Sequence, residues 1–270
     1  MTTPVDPSAM AALTDARVAL GRTGSSQPTQ AALAFALDHA RARDAVHRPA
    51  DFDGLEAALQ QRGLASLRVD SAAQDRLTYL ARPDLGRRLS DESRKRLAGL
   101  RAKPVVDLAI VVADGLSSRA LDHVPALLDA LLAEISPEGW TLAPVILAAQ
   151  SRVALGDEVG ALLKARMVLL LVGERPGLSS PDSLGAYLTY APRVGLSDAA
   201  RNCVSNIRPA GLIPAQGAFK IAWLMRQARR LQLTGVALKD ESSTDHLVSV
   251  TPEAARLPAD TPLKKNKSGK

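Results

Sequence analysis

Beyond Lys103, short apolar runs alternate with stretches of helical periodicity. "VVDLAIVVADG" is β-branched, apolar on both faces and ends at Asp114-Gly115; "SSRALDHVPALLDALLAEI" then sets Leu127, Leu128, Leu131, Leu132 and Ile135 along one helical stripe. The alternation continues: "LAPVILAAQ" reads as a strand, "ALGDEVGALLKAR" as a helix and "MVLLLVG" as a strand. "AYLTYAPRV" and "NCVSNIR" are shorter extended segments, and a long helix, "PAQGAFKIAWLMRQARRLQL", precedes a last short strand at "GVALK". Strands apolar on both faces, separated by helices, predict a parallel sheet covered on both sides and joined by right-handed crossovers. The expected class is α/β, Rossmann-like, over residues 103–240.

The preceding third reads differently. "TQAALAFALDHARARDAV" is alanine-rich and halted by Pro49; "DFDGLEAALQQRG" opens on aspartates and closes on glycine; "SDESRKRLAGL" has Ser90 as its N-cap, with Asp91 and Glu92 at the positive end of the helix dipole. Residues 29–102 are therefore predicted to be a smaller, all-helical region. Residues 1–28 carry one short helical pattern, "AMAALTDARVAL", before the Gly/Ser-rich "GRTGSSQPTQ", and read as a flexible arm. Residues 241–270 end in "TPLKKNKSGK", a solvated, lysine-rich tail.

A chain of 270 residues with 46% hydrophobic residues can bury a sizeable core. It has no uncharged apolar run long enough to span a bilayer and no secretory signal pattern at its start, so the cytoplasm is the expected compartment, with no membrane partner. The net charge of +6 would suit a nucleic-acid binder, but aromatics make up 3% of the chain and no basic stretch interleaves with them; no nucleic-acid partner is expected. The single cysteine, Cys203, excludes an internal disulfide and any zinc site built on cysteine pairs.

In an open parallel sheet, ligands meet the loops beyond the carboxyl ends of the strands. "ADGLSSR" after the first strand has no G-x-G-x-x-G; there is no P-loop and no G-x-S-x-G anywhere, and His39, His47, His123 and His246 show no metal-ligand spacing. No catalytic or metal-ligating residue is assigned. The remaining polar groups on strand ends are Asp114, Ser117, Ser118, Gln150, Arg152, Glu174, Arg175, Cys203, Ser205 and Asn206, with Val153 beside them. They converge on a ligand, or else Asp114 and Ser117 cap the next helix, Glu174 pairs with an arginine and Cys203 fills a small gap.

Six blocks in order, "RPDLGRRL" (82–89), "DLAIVVADGLSSRAL" (107–121), "SRVALGDEVG" (151–160), "VGERPGL" (172–178), "YLTYAPR" (187–193) and "NCVSNIR" (202–208), make the chain resemble the small subunit of ethanolamine ammonia-lyase. The likeness runs from about residue 29 to 240; the departures lie in the arm, the tail and the loop between Val194 and Asn202. It implies a lyase that converts ethanolamine to acetaldehyde and ammonia by a radical route with adenosylcobalamin, the cofactor carrying the hard chemistry. The implied partner is a large subunit, which holds ethanolamine, in a hetero-oligomer that some organisms package in a bacterial microcompartment. It also implies that Val153, Glu174 and Cys203 contact the cofactor, with Glu174 as an acceptor for the corrin amides. None of the four histidines stands in a D-x-H-x-x-G frame, which agrees with base-on binding. Two other readings stay open: a Rossmann-like module for another nucleotide-tailed ligand, and a scaffold subunit.

Overall fold

The computed structural model describes residue 14 and residues 16–100 and 105–243. Helices α1 (Thr29–His47) and α2 (Phe52–Gln61) come first, followed by strand β1 (Ser66–Asp70), short helix α3 (Arg76–Ala81) and α4 (Asp91–Gly99). Then follow β2 (Val106–Ala113), α5 (Val124–Ile135), β3 (Val145–Ala149), α6 (Leu155–Leu162), β4 (Ala165–Gly173), β5 (Leu184–Tyr190), β6 (Asn202–Ile207) and α7 (Pro214–Leu231). The six strands form one sheet in the order β1-β3-β2-β4-β5-β6.

The predicted alternation holds from β2 to β4, where the apolar runs pair in parallel. On one face of the sheet, Leu108, Ile110 and Val112 of β2 pack with Leu127, Leu128 and Leu131 of α5 and Ile221 and Met225 of α7. On the other, Ala109, Val111 and Ala113 pack with Leu155 and Val159 of α6 and Leu97 of α4. Period-2 side-chain direction is why both faces of β2 had to be apolar.

Three expectations need correction. The region 29–102 is not all helical: Ser66–Asp70 pairs in parallel with Val145–Ala149 and forms an edge of the sheet. The sheet is not parallel throughout, because β5 runs antiparallel to both β4 and β6. A parallel return needs a crossover of a dozen or more residues, usually helical; only residues 174–183 join β4 to β5, and they hold no helix. "GVALK" is not a strand but a single 3-10 turn, Gly235–Ala237. It is anchored by side chains instead: Asn202 Oδ1 accepts from Gly235 N (2.8 Å), and Asn202 Nδ2 donates to Leu238 O (2.7 Å).

Much of "AMAALTDARVAL" and almost all of the tail lie outside the described residues; the described part of that pattern, residues 14 and 16–20, is not helical. Capping follows the sequence. Ser90 Oγ accepts from Ser93 N (3.2 Å) at the start of α4, and Asp51 Oδ1 accepts from Gly54 N (2.9 Å) at α2.

Candidate functional site

The carboxyl ends of β2, β3 and β4 meet around a hollow of about 380 Å³. Its walls come from Gly115 and Leu116 after β2, Ser151, Arg152 and Val153 after β3, and Val172, Gly173, Glu174 and Arg175 at the tip of β4, with Tyr79 of α3 and Tyr187 of β5. A second, larger hollow of about 530 Å³ shares Arg152, Val153 and Tyr187 with it and extends to Arg87, Arg88 and the loop Val194–Asp198.

The floor is tightly built. Gly115 has φ +56°, and a Cβ there would stand 2.1 Å from Gly173 O; a Cβ on Gly173 would stand 1.9 Å from Ser117 O. The loops after β2 and β4 therefore interlock backbone to backbone, and Leu116 N donates to Gly173 O (2.9 Å). The glycine at the β4 tip makes room for the protein's own chain. Asp114, buried at the end of β2, accepts from Ser151 N (3.1 Å) and lies 3.4 Å from Arg76 Nη1. Burial pushes its carboxyl up, with the Ser151 amide and Arg76 opposing.

Tyr79 is fully buried beneath this floor and donates its hydroxyl to Ser151 O (3.1 Å). Burial holds the phenol well above its ordinary value, so it remains a donor at any physiological pH; Arg152 opposes that shift and Asp114 adds to it. The guanidinium groups of Arg76 and Arg152 lie over the Tyr79 ring, 4.9 and 4.5 Å from its centroid.

Among the described residues Glu174 pairs with no arginine. Its Oε1 accepts from Ser205 Oγ (2.6 Å), and its Oε2 accepts from Ser183 Oγ and from Asn206 N (3.2 Å). A carboxylate offers about four acceptor positions. Three are taken by partners among the described residues, and Glu174 lies on the wall of the hollow. Ser205 and Asn206, two of the polar residues singled out in the sequence, thus serve as braces that join the tip of β4 to β6. Cys203 is exposed and pairs across the sheet with Tyr187, which lines both hollows. Partial desolvation raises its thiol above the usual value, the Tyr187 hydroxyl opposes and Glu174 adds to the rise. The group beside the hollow is therefore a neutral thiol.

Val153 and Glu174 share one hollow, and Cys203 adjoins it through Tyr187. Asp114 and Ser117 do not cap a helix by their side chains: Ser117 Oγ donates to Pro181 O (2.6 Å) and Ser118 Oγ to Arg48 O (2.8 Å). Both hydroxyls fasten loops. Gln150, with φ +52°, turns the chain after β3. The sequence reading missed Arg76, Tyr79 and Tyr187. Tyr187 belonged to a recognised block, but an arginine and a tyrosine in a six-residue helix carry no local signal that they lie under strands far along the chain.

The model of the ethanolamine ammonia-lyase light chain family matches residues 6–239, reaching back into the segment read as an arm. The ethanolamine ammonia-lyase small subunit of Xanthomonas campestris pv. campestris is 55% identical over 271 aligned positions, covering 96% of this chain and 100% of that protein. The small subunit of Azotobacter vinelandii is 58% identical over 87% of this chain and 88% of its own length. That of Rhodopseudomonas palustris is 58% identical over 85% and 88%.

Proposed function

Because the chain belongs to the ethanolamine ammonia-lyase light chain family, we propose that it closes over one side of adenosylcobalamin, with Val153, Glu174 and Cys203 against the cofactor and a larger subunit holding ethanolamine. The observation that carries this reading is that Val153 and Glu174 line one hollow at the ends of three adjacent strands, with Cys203 paired across the sheet to Tyr187 on its wall.

The chemistry of the walls fits an amide-fringed ring. Val153 and the neutral Cys203 thiol offer low-polarity contact, the Glu174 carboxylate on the wall suits an amide N–H, and the sheet beneath is too tightly packed to yield. Among the described residues, two buried donor atoms nearby, Arg152 Nε and Arg76 Nη2, have no hydrogen-bond partner, as expected of a surface that is completed by a ligand. When bound, the cofactor would supply the radical chemistry through its cobalt–carbon bond. The residues of this chain fix its orientation and exclude water from its exposed side.

Glu174→Ala removes the acceptor and loosens the brace to Ser205. Cobalamin binding by the reconstituted two-subunit complex is expected to weaken by about 1–3 kcal/mol, read by corrinoid absorbance after equilibrium dialysis. Unchanged affinity contradicts the assignment. Ammonia release from ethanolamine should require both chains together.

A further inference from the structure

Arg152 has a place but no partner. It lines both hollows, its stem is fixed and its guanidinium is stacked on Tyr79, yet among the described residues it makes no side-chain hydrogen bond or ion pair, and its Nε is buried. Its backbone is fixed as well: Arg152 N donates to Gly86 O (2.8 Å). Gly86 is buried in the single turn Leu85–Arg87, where a Cβ would meet the Tyr79 ring at 2.9 Å and the Arg152 stem at 3.0 Å. The glycine of "RPDLGRRL" thus lets that loop press against Arg152, and the next two residues, Arg87 and Arg88, are set on the wall of the larger hollow beside it.

The charge balance of this wall is one-sided. Its two acids are already engaged: Glu158 accepts from Leu89 N (2.9 Å) and Arg94 Nε (2.6 Å), and Asp198 from Arg201 Nη1 (2.8 Å). Arg88 reaches only Asp84, at 3.9 Å, and Arg87 has no ion pair among the described residues. Three arginines therefore line one hollow, and among the described residues Arg152 and Arg87 have no carboxylate partner while Arg88 has only the distant Asp84. Planar guanidinium forks are the side chains best matched to phosphate oxygens.

We propose that Arg152, with Arg87 and Arg88, forms a phosphate-binding subsite, and that its occupant is the phosphodiester of the cofactor's nucleotide loop. This rests on the cobalamin reading above and extends it: Val153, next in the chain, would face the corrin while Arg152 holds the tail. Arg152 is here a binding residue. Its stacking on Tyr79 pre-orients the fork, so the side chain surrenders little freedom on binding.

The test uses the two-subunit complex with two corrinoids, cyanocobalamin and dicyanocobinamide, the second lacking the phosphodiester and the base. Arg152→Gln should weaken cyanocobalamin binding by roughly ten- to a hundredfold, the loss expected for a charge-assisted hydrogen bond, and leave cobinamide binding unchanged. Arg152→Lys should recover part of the loss. Arg87→Gln, on an exposed side chain that cannot disturb folding, should show the same selectivity with a smaller effect, and inorganic phosphate should compete with cyanocobalamin in the parent more than in the variants. Equal losses for both corrinoids would make Arg152 a structural residue and overturn the proposal, as would intact cyanocobalamin binding in Arg152→Gln. A parent complex that binds neither corrinoid removes the cobalamin reading itself. If phosphate binds the parent but does not compete with cyanocobalamin, the occupant is free phosphate and the assignment to the cofactor tail is overturned.

Discussion

At the level of single residues, the tip of β4 shows how a loop-end motif acquires meaning only from its neighbours. The missing side chain of Gly173 accommodates Ser117 O and Asp114 O, at 1.9 and 2.6 Å from where a Cβ would stand. These are backbone atoms of an interlocked loop and cannot rotate aside. Gly173→Ala is accordingly expected to destabilise the chain by about 3 kcal/mol, the upper range for overpacking a close-packed site, which corresponds to a fall in melting temperature of roughly 6–12 °C for a domain of this size. A variant that melts with the parent would show that the β2 and β4 loops can separate. Glu174, one residue on, was readable as an acid at a strand end, but its partners were not. Ser183, Ser205 and Asn206 reach it only because β5 folds back antiparallel beside β4 and β6 returns antiparallel beside β5.

At the level of elements, the central strands were legible because both faces are buried and the apolar runs are unbroken, whereas the edges were not. β1 alternates Leu67 and Val69 with Ser66, Arg68 and Asp70, a period-2 pattern only five residues long between helices, and its role is settled by pairing with β3. The entry to β2 has a similar hidden dependence. Asp107 accepts from Thr141 Oγ1 (2.7 Å) and Thr141 N (3.0 Å), while Thr141 O accepts from Asp107 N (3.0 Å), so the chain before β3 is clamped to the start of β2. Desolvation acts to raise the Asp107 carboxyl, but Thr141, then Arg229 and Arg166, more than reverse it and hold it below the ordinary value. A carboxylate depressed in this way stabilises the fold fully above its unfolded value of about 3.9, and the contribution is lost as pH falls through that value to the folded one. Thr141→Val should therefore cost about 1.5–3 kcal/mol at neutral pH, and urea titrations at successively lower pH should show the gap from the parent narrowing. A gap that stays constant into strong acid would mean that the hydroxyl matters for packing alone.

Across the whole molecule, a wall of the larger hollow depends on a charge pair that lines neither hollow. Arg201, at the entry to β6, pairs with Asp157 of α6, and both side chains are 2% exposed. The same guanidinium donates to Asp198 (2.8 Å) and to Leu196 O (3.2 Å), both on the wall of the larger hollow. Burial pushes the Asp157 carboxyl up, and Arg201 is the main opposing influence. Among the described residues, Asp157 Oδ1 and Arg201 Nε have no hydrogen-bond partner. Removing the cation alone leaves a buried acid without a counter-charge, so Arg201→Met should cost about 3–5 kcal/mol at neutral pH, and replacing both members with apolar residues of similar volume should restore most of that stability. Stability and function then separate. In Asp157→Leu/Arg201→Met the sheet can pack, but Leu196 and Asp198 lose the group that fixes their loop, and the wall opposite Arg152 is free to move. The expected outcome is a double variant that melts near the parent yet binds cyanocobalamin more weakly in the two-subunit complex. If its affinity equals the parent's, the loop holds its shape without Arg201, and the buried pair contributes to folding alone.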